Sequence, residues 1–386
     1  MKKAIRVFSY ILTALVSCVV TLVVMLALTR GSGMTKLQEL EALIDQCYIG
    51  QADKTAMYDA AAHAMIEALG DRWSYYIPAS EYESYVNDKN NEYVGIGITV
   101  VAAEDGSGIL VTEVTQGSPA LEAGLRAGDI LVEVDGTALS GKTVAEAGDL
   151  IRGPAGKQVS LKLVREGETR TLTVTCRHIQ VPVATGQLLE GDIGLVTISN
   201  FNANCFNESK QVIESLLAQG AQKLLFDVRF NGGGYAEEMV ELLDYLLPEC
   251  DQIFRTVAYN GREKVYKSDK DCLDVPMAVL VNDSSYSAAE CFAAALNERL
   301  GSAVIGEKTS GKGYYQVVYE LSDGSAVGLS IGKYYTPNNN NLEGVGLTPT
   351  VPVEVDDETY YAIYAGTLSP MEDPQIVAAV NALKAG

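Results

Sequence analysis

Apolar positions along the chain follow successive periods. Between Thr35 and about Leu69 they recur three and four residues apart, in LQELEALIDQCY and TAMYDAAAHAMIEALG, which predicts amphipathic helices with Gly70 ending the second. From Val94 the period shortens to two. YVGIGITVV, GILVTEV, DILVEVDG, VSLKLVREG and TRTLTVTC predict strands separated by glycine-rich turns, and TVAEAGDLIRG predicts a helix between the third and fourth. That order describes a compact module ending near Cys176. Beyond HIQVPVA, strand-like and helix-like runs alternate: IGLVTIS, CFNESKQVIESLLAQG, KLLFDVR, AEEMVELLDYLL, PMAVLVN and AAECFAAALNERLG. Such alternation predicts an α/β fold with a substantially parallel sheet covered by helices. YYQVVYE and AVGLSIGKYYT add strands, Asn338 to Asn341 a turn, and PQIVAAVNALKAG a closing helix.

One run has no period. VFSYILTALVSCVVTLVVMLAL, Val7 to Leu28, carries no charge and follows Lys2, Lys3 and Arg6. At ~1.5 Å per residue, about 22 apolar residues cross a hydrocarbon core of ~30 Å. It is longer than a secretory h-region and no A-x-A cleavage site follows, so an uncleaved anchor over residues 7–28 is expected. The basic amino terminus would stay in the cytoplasm and the rest of the chain outside it.

Composition narrows the partners. The 386 residues are 47% hydrophobic, enough for two or three domains with real cores. A net charge of -21 argues against nucleic acid and for a peptide or protein partner. The seven cysteines form no C-x-x-C pair and no cluster with histidine, which argues against structural zinc, and their spacing selects no disulfide pairing.

Candidate chemistry concentrates in VNDSSYSAAECFAAALNERLG, where Ser287 to Glu290 matches an S-x-x-E capping box. A serine nucleophile needs a base, and the chain has only His63 and His178, both far upstream. A lysine serves instead when burial lowers its pKa. Lys312, between two glycines in SGKGYYQ, is the candidate; Gln316, four residues on, falls on the same side of a strand and is expected to orient it. Backbone N–H groups of Gly233, Gly234 and Ala288 are candidate oxyanion donors. Two strings are decoys. GLSIG matches a nucleophile elbow, but Ser330 sits in strand alternation with no histidine after it. GEKTSGKG misses the phosphate-loop pattern at Gly313.

FDVRFNGGG, VLVNDSSYSAAECFAAAL, VIGEKTSGKGYYQ and YYTPNNNNLEGVGLTPTVPVEV together resemble the carboxyl-terminal processing peptidases, or tail-specific proteases, from about Cys47 to the end. The resemblance implies a Ser287–Lys312 dyad with Gln316, oxyanion donors Gly233 and Ala288, and no metal or organic cofactor. It implies a ClpP/crotonase-like α/β protease core with an inserted PDZ domain, a partly open β-barrel, behind the transmembrane helix. The expected division is 1–33 anchor, 34–91 helical segment, 92–177 PDZ domain and 178–386 protease core. YVGIGI resembles a PDZ carboxylate-binding loop, so Gly95, Ile96, Gly97 and Ile98 are expected to hold the carboxyl terminus of a protein substrate. LGDRWSYYIPASEYESY resembles the family's segment before the PDZ domain, and Arg152 is expected to couple that domain to the active site. Two departures stand out: Arg229-Phe230-Asn231-Gly232-Gly233-Gly234 lacks the family's proline, and Tyr286 and Ala289 replace smaller or hydroxyl residues. The expected protein is a single-pass, extracytoplasmic serine endopeptidase, with homodimerisation through the N-terminal helices. The alternatives are an inactive PDZ scaffold that binds tails and a crotonase-like enzyme acting on thioesters.

Overall fold

The computed structural model describes residues 13–21 and 35–385, which divide along the chain between Ala68 and Leu69 into two compact units. In the first unit, residues 13–21 are helical, followed by helices Lys36–Cys47 and Lys54–Glu67. The last two bury no residue and leave Leu37, Leu40 and Leu43 about half exposed. No helix among the described residues is long and apolar enough to cross a membrane. Apart from 13–21, the run 7–28 lies outside the described residues.

The second unit is built on a six-stranded sheet in the order Ala184–Leu189, Ile193–Ile198, Lys223–Asp227, Met277–Val281, Ala303–Gly306, Val351–Pro352. The first pair is antiparallel and the remaining pairs are parallel. Met277–Val281 is buried at every position, as its unbroken MAVLV run requires of a central parallel strand. Helices Cys205–Ala218, Ala236–Leu246 and Ala288–Leu300 share one core with this sheet, and Pro374–Ala385 covers its other face. Ala288–Leu300 is buried from Ala288 through Leu296, all round, which its alanines allow by letting it lie close to its neighbours. Phe292 on it packs against Phe201 and Phe226, ring centroids 5.4 and 5.3 Å away.

A second, antiparallel sheet joins Tyr75–Ile77, Ala326–Tyr335, Cys250–Ala258 and Glu263–Ser268, with Tyr314–Glu320 also paired to Ala326–Tyr335. Tyr75–Ile77 is a strand inside the segment expected to be helical. Its backbone pairs with residues some 250 positions away, at Gly328, Val327 and Ala326, which local periodicity cannot register. YVGIGITVV, expected as one strand, is two: Glu92–Gly95 and Ile98–Ala102, broken where Gly97 takes φ +82°. Glu92–Gly95 pairs with Arg177–Gln180, and through this ribbon the chain enters and leaves the sheet Ile98–Ala102, Ile109–Val114, Ile130–Val134, Gln158–Arg165, Glu168–Thr175. The inserted module has its own core, with Ile109, Val111, Leu131, Leu161 and Leu163 fully buried.

Candidate active site

Ser287 sits between the central strand Met277–Val281 and the buried helix Ala288–Leu300, with φ +60° and ψ -120°. That is a strained conformation for a residue with a Cβ, and such strain persists where the surroundings enforce it. The sharp strand-to-helix turn that GLSIG suggests for Ser330 therefore occurs at Ser287, while Ser330 lies within the strand Ala326–Tyr335. Glu290 carries the capping box: its carboxylate accepts from Ser287 N–H at 3.0 Å. It also accepts from Gly311 N–H and Lys312 N–H, each at 2.9 Å, and from the Thr309 hydroxyl. One fully buried carboxylate thus ties the serine turn to the lysine loop. Burial raises its pKa, and the four donors offset part of that rise.

The Lys312 ammonium lies 4.9 Å from the Trp73 ring centroid and 5.8 Å from that of Tyr286. Its pKa is pushed down to about 8, first by burial and then by the charge of Lys89, against the pull of Asp71, Glu343 and Glu290. The loop is held tightly. Arg72 donates to the Gly311 carbonyl at 2.9 Å, Glu343 accepts from Gly313 N–H at 2.7 Å and from Trp73 Nε1 at 3.1 Å, and the Tyr334 hydroxyl donates to the Lys312 carbonyl. A Cβ at Gly313 would come within 2.5 Å of Glu343 N, which is why a glycine follows the lysine. Tyr334 is also within hydrogen-bonding reach of Ser287, and burial drives its pKa well up, so it stays a neutral hydroxyl.

Ser287, Ala288, Lys312, Gln316, Lys89 and Tyr334 line one cavity of about 1060 Å³. No histidine is among its lining residues; His178 is on the connecting ribbon, facing Glu92 at 3.1 Å. A lysine whose pKa is lowered to about 8, lining the same cavity as a strained serine, suits acyl transfer at a carbonyl.

A model of peptidase family S41 matches residues 192–353 and a PDZ domain model matches residues 110–165. Carboxy-terminal processing protease CtpA of Bacillus subtilis is 32% identical over 370 residues, covering 92% of this chain and 79% of the relative. The chain belongs to peptidase family S41. It is a serine-type carboxy-terminal processing peptidase of mixed α/β fold with an inserted PDZ domain. CtpB of the same organism is 28% identical over 334 residues, 85% of this chain and 69% of its own length. Among solved structures, the photosystem II D1 C-terminal processing protease is 29% identical, with 84% of this chain and 87% of that one aligned at a TM-score of 0.48. A putative S41 protease from Bacteroides fragilis, 18% identical over 76% of this chain and 83% of its own, shares the fold at a TM-score of 0.50.

Other predicted positions in this S41 peptidase fall less simply. Gln316 lines the cavity, but its amide nitrogen donates to Ser330 Oγ at 2.9 Å and to the Tyr314 carbonyl at 3.3 Å. Lys312 precedes the strand Tyr314–Glu320, whose register shifts between Tyr315 and Gln316, so the expected two-residue alternation does not run from one to the other. Gly233 N–H is engaged by Asn231 Oδ1 at 2.8 Å rather than open to the cavity. Ala288 N–H is in the first turn and has no acceptor within its helix. In the PDZ domain, Ile98–Ala102 is an edge strand with the helix Val144–Ile151 packed against it. The carbonyls of Ile96 and Gly97 are held from behind by Ala120 N–H at 2.9 Å and Thr115 N–H at 3.0 Å. Gly95 is in the ribbon, opposite Arg177. Arg152, expected to couple this domain to the active site, is exposed and pairs with Asp149 of the helix it caps at 3.3 Å.

Sequence reasoning missed Glu290's second role, Tyr334, Asp71 and Ser330. Ser330 Oγ accepts from the Gln316 amide, and its N–H donates to Ser74 Oγ at 3.0 Å. Trp73, the chain's one tryptophan, was a visible signal in the quoted DRWSYY segment, without any hint of its distance from Lys312.

Proposed function

We propose that Ser287 attacks the carbonyl of a peptide bond while the neutral amine of Lys312 takes its proton, and that Lys312 then returns the proton to the leaving amine. A water activated by the same lysine releases the acyl fragment. The observation that carries this reading is the lowered pKa of Lys312, half-enclosed by Trp73 and Tyr286 in the cavity that Ser287 lines. Tyr334 steadies Ser287, and Ser330 fixes Gln316 on the wall of the cavity that Lys312 also lines, from which Gln316 orients the lysine when substrate is bound. Ala288 N–H is the first oxyanion donor. Gly233 N–H joins when the charged oxygen displaces the neutral Asn231 amide, because a charge-assisted hydrogen bond is roughly twice as strong as a neutral one.

The PDZ domain captures the carboxyl terminus of a protein substrate at Gly95 to Ile98, with the tail adding as a strand beside Ile98–Ala102; the unpaired edge of that strand supports this. On this reading residues 1–33 anchor the chain in a membrane, 34–91 link the anchor to the PDZ domain of 92–177, and 178–386 form a ClpP/crotonase-like protease core outside the cytoplasm. The charge-free run 7–28 supports the anchor. The exposed Leu37, Leu40 and Leu43 support pairing of two copies through the N-terminal helices. The test is incubation of the full chain in detergent, wild type against Lys312→Ala, with unfolded polypeptide tails and mass spectrometry of the products. Wild type releases carboxyl-terminal fragments and the variant releases none. A wild type that binds tails and never cleaves them sinks the enzymatic reading in favour of a scaffold.

A further inference from the structure

A smaller cavity of about 290 Å³ opens on the other side of Gly232 and Tyr286, and its remaining walls are Phe230, Ser284, Tyr360, Tyr361 and Tyr364. Gly232 and Tyr286 also line the cavity of Ser287 and Lys312, so the two spaces share a wall one residue from the nucleophile. The pocket is built rather than incidental. Phe230 is held at φ +59°, a conformation a bulky residue avoids, by an N–H bond to Asn282 Oδ1 at 2.9 Å. Its ring meets Tyr360 and Tyr364 edge-on, with centroids 5.1 and 5.2 Å away. Tyr360 is fixed in turn by its hydroxyl, which donates to Asp283 at 3.0 Å and pairs with Ser284 Oγ at 3.1 Å. Yet Tyr361 and Tyr364 are 67% and 69% exposed, a large aromatic surface left in water beside the reaction centre. Tyr286, the shared wall, stacks on Trp73 at 5.9 Å, and both rings face the Lys312 ammonium.

We propose that this aromatic pocket is a substrate subsite that takes one large apolar side chain, aromatic or aliphatic, from the polypeptide within a few residues of the cleaved bond. The inference rests on the catalytic reading above, because the shared wall is what makes a peptide bound at Ser287 the occupant. The volume suits a single side chain, and the walls present ring faces with no buried counter-charge. A filled pocket fixes the register of the chain across Ser287 and presses on the ring that borders Lys312.

The test uses the full-length protein and a peptide it cleaves, with each position within about three residues of the cleaved bond set in turn to Gly, Phe or Lys. At one position Phe raises kcat/KM over Gly by about ten-fold or more. Tyr364→Ala brings that ratio close to one, and Tyr364→Phe keeps it, because the ring and not the hydroxyl forms the wall. A ratio unchanged in Tyr364→Ala, or a preference for Lys over Phe at that position, overturns the proposal. Binding of the same peptides to Ser287→Ala protein, read by fluorescence anisotropy, tests the pocket without turnover: Phe peptides bind tighter than Gly peptides, and adding Tyr364→Ala removes the difference. If that difference is found while the wild type cleaves nothing, the catalytic reading fails and the subsite stands. If cleavage proceeds with no positional preference and no difference in binding, the subsite fails and the catalytic reading stands.

Discussion

The PDZ domain and the protease core each contain a serine at a helix start with a glycine turn pressed against it. In the PDZ domain Gly97, at φ +82°, lies against Ser118; in the core Gly233, at φ +83°, lies against Ser287. A Cβ on Gly97 would fall 2.3 Å from Ser118 Cβ, and one on Gly233 would fall 2.7 Å from Ser287 Cβ. Both positions therefore demand glycine for the same two reasons, the backbone angle and the close approach. The serines differ. Ser118 has relaxed torsions of -78° and 158°, accepts from Leu121 N–H and donates to the Gly97 carbonyl, so its hydroxyl is fully spent on holding the loop. Ser287 sits at +60° and -120°; its N–H is held by the Glu290 carboxylate, its hydroxyl makes no cap hydrogen bond, and a half-buried lysine lines the same cavity. A helix-start serine is structural when its torsions let it cap, and becomes available for chemistry when the backbone turns it away from that task.

Exchanging each serine for alanine gives the largest test of this contrast. Ser287→Ala lowers kcat by about 10⁴-fold or more with little change in thermal midpoint. Ser118→Ala instead costs about 1 kcal/mol of stability in urea unfolding and leaves kcat on short peptides lacking a tail. Equal losses of kcat in the two variants would erase the distinction. The glycines come next. Gly233→Ala lowers kcat by about 10²-fold, by displacing Ser287 and the Ala288 N–H that lies 3.0 Å from the added Cβ. Gly97→Ala raises KM for tailed substrates and spares kcat, so a fall in kcat at Gly97 would contradict a purely binding loop.

The smallest effect is in stability and pH. Lys312 must be neutral to act as base, so kcat/KM rises with pH to a plateau, with a midpoint near 8. A midpoint near 6.5 would point to a histidine. Its native pKa of about 8 lies below the 10.5 of an ordinary lysine, so between the two the unfolded chain binds more protons and wild-type stability rises with pH. Lys312→Met is therefore inactive yet melts several degrees higher below pH 8, with the gain fading as pH climbs toward 10.5. No gain at pH 7 would mean that the ammonium is well solvated. Ser118 has no counterpart to this trade between stability and activity.

Legibility in the sequence followed the range of the interactions. Helices with a start signal, such as Lys36–Cys47 and Ala288–Leu300 with their capping boxes, and the buried strand Met277–Val281, are written in local pattern. The edge strand Ala184–Leu189, the hairpin Cys250–Ala258 with Glu263–Ser268, and the helix Asp357–Tyr364 were not read, because their apolar faces are completed by distant partners. The same division runs through the site. Ser287 and Lys312 were reachable by counting histidines and by the glycines around the lysine. Their link through Glu290 was hidden behind an ordinary capping box, and Gln316's bond to Ser330 behind a string that looked like a different enzyme's nucleophile.

By itself the sequence determined which residue types are present and at what spacing: serines at helix starts, one lysine between glycines, a glycine turn, and two patterns of secondary structure belonging to two domains. Tertiary structure decided which of several serines is strained, how far the lysine is desolvated, and which N–H groups are already engaged. Those properties depend on distances between segments far apart in the chain. Trp73 and Tyr286 are 213 positions apart, yet their stacked rings border Lys312 together, and no local pattern carries that distance.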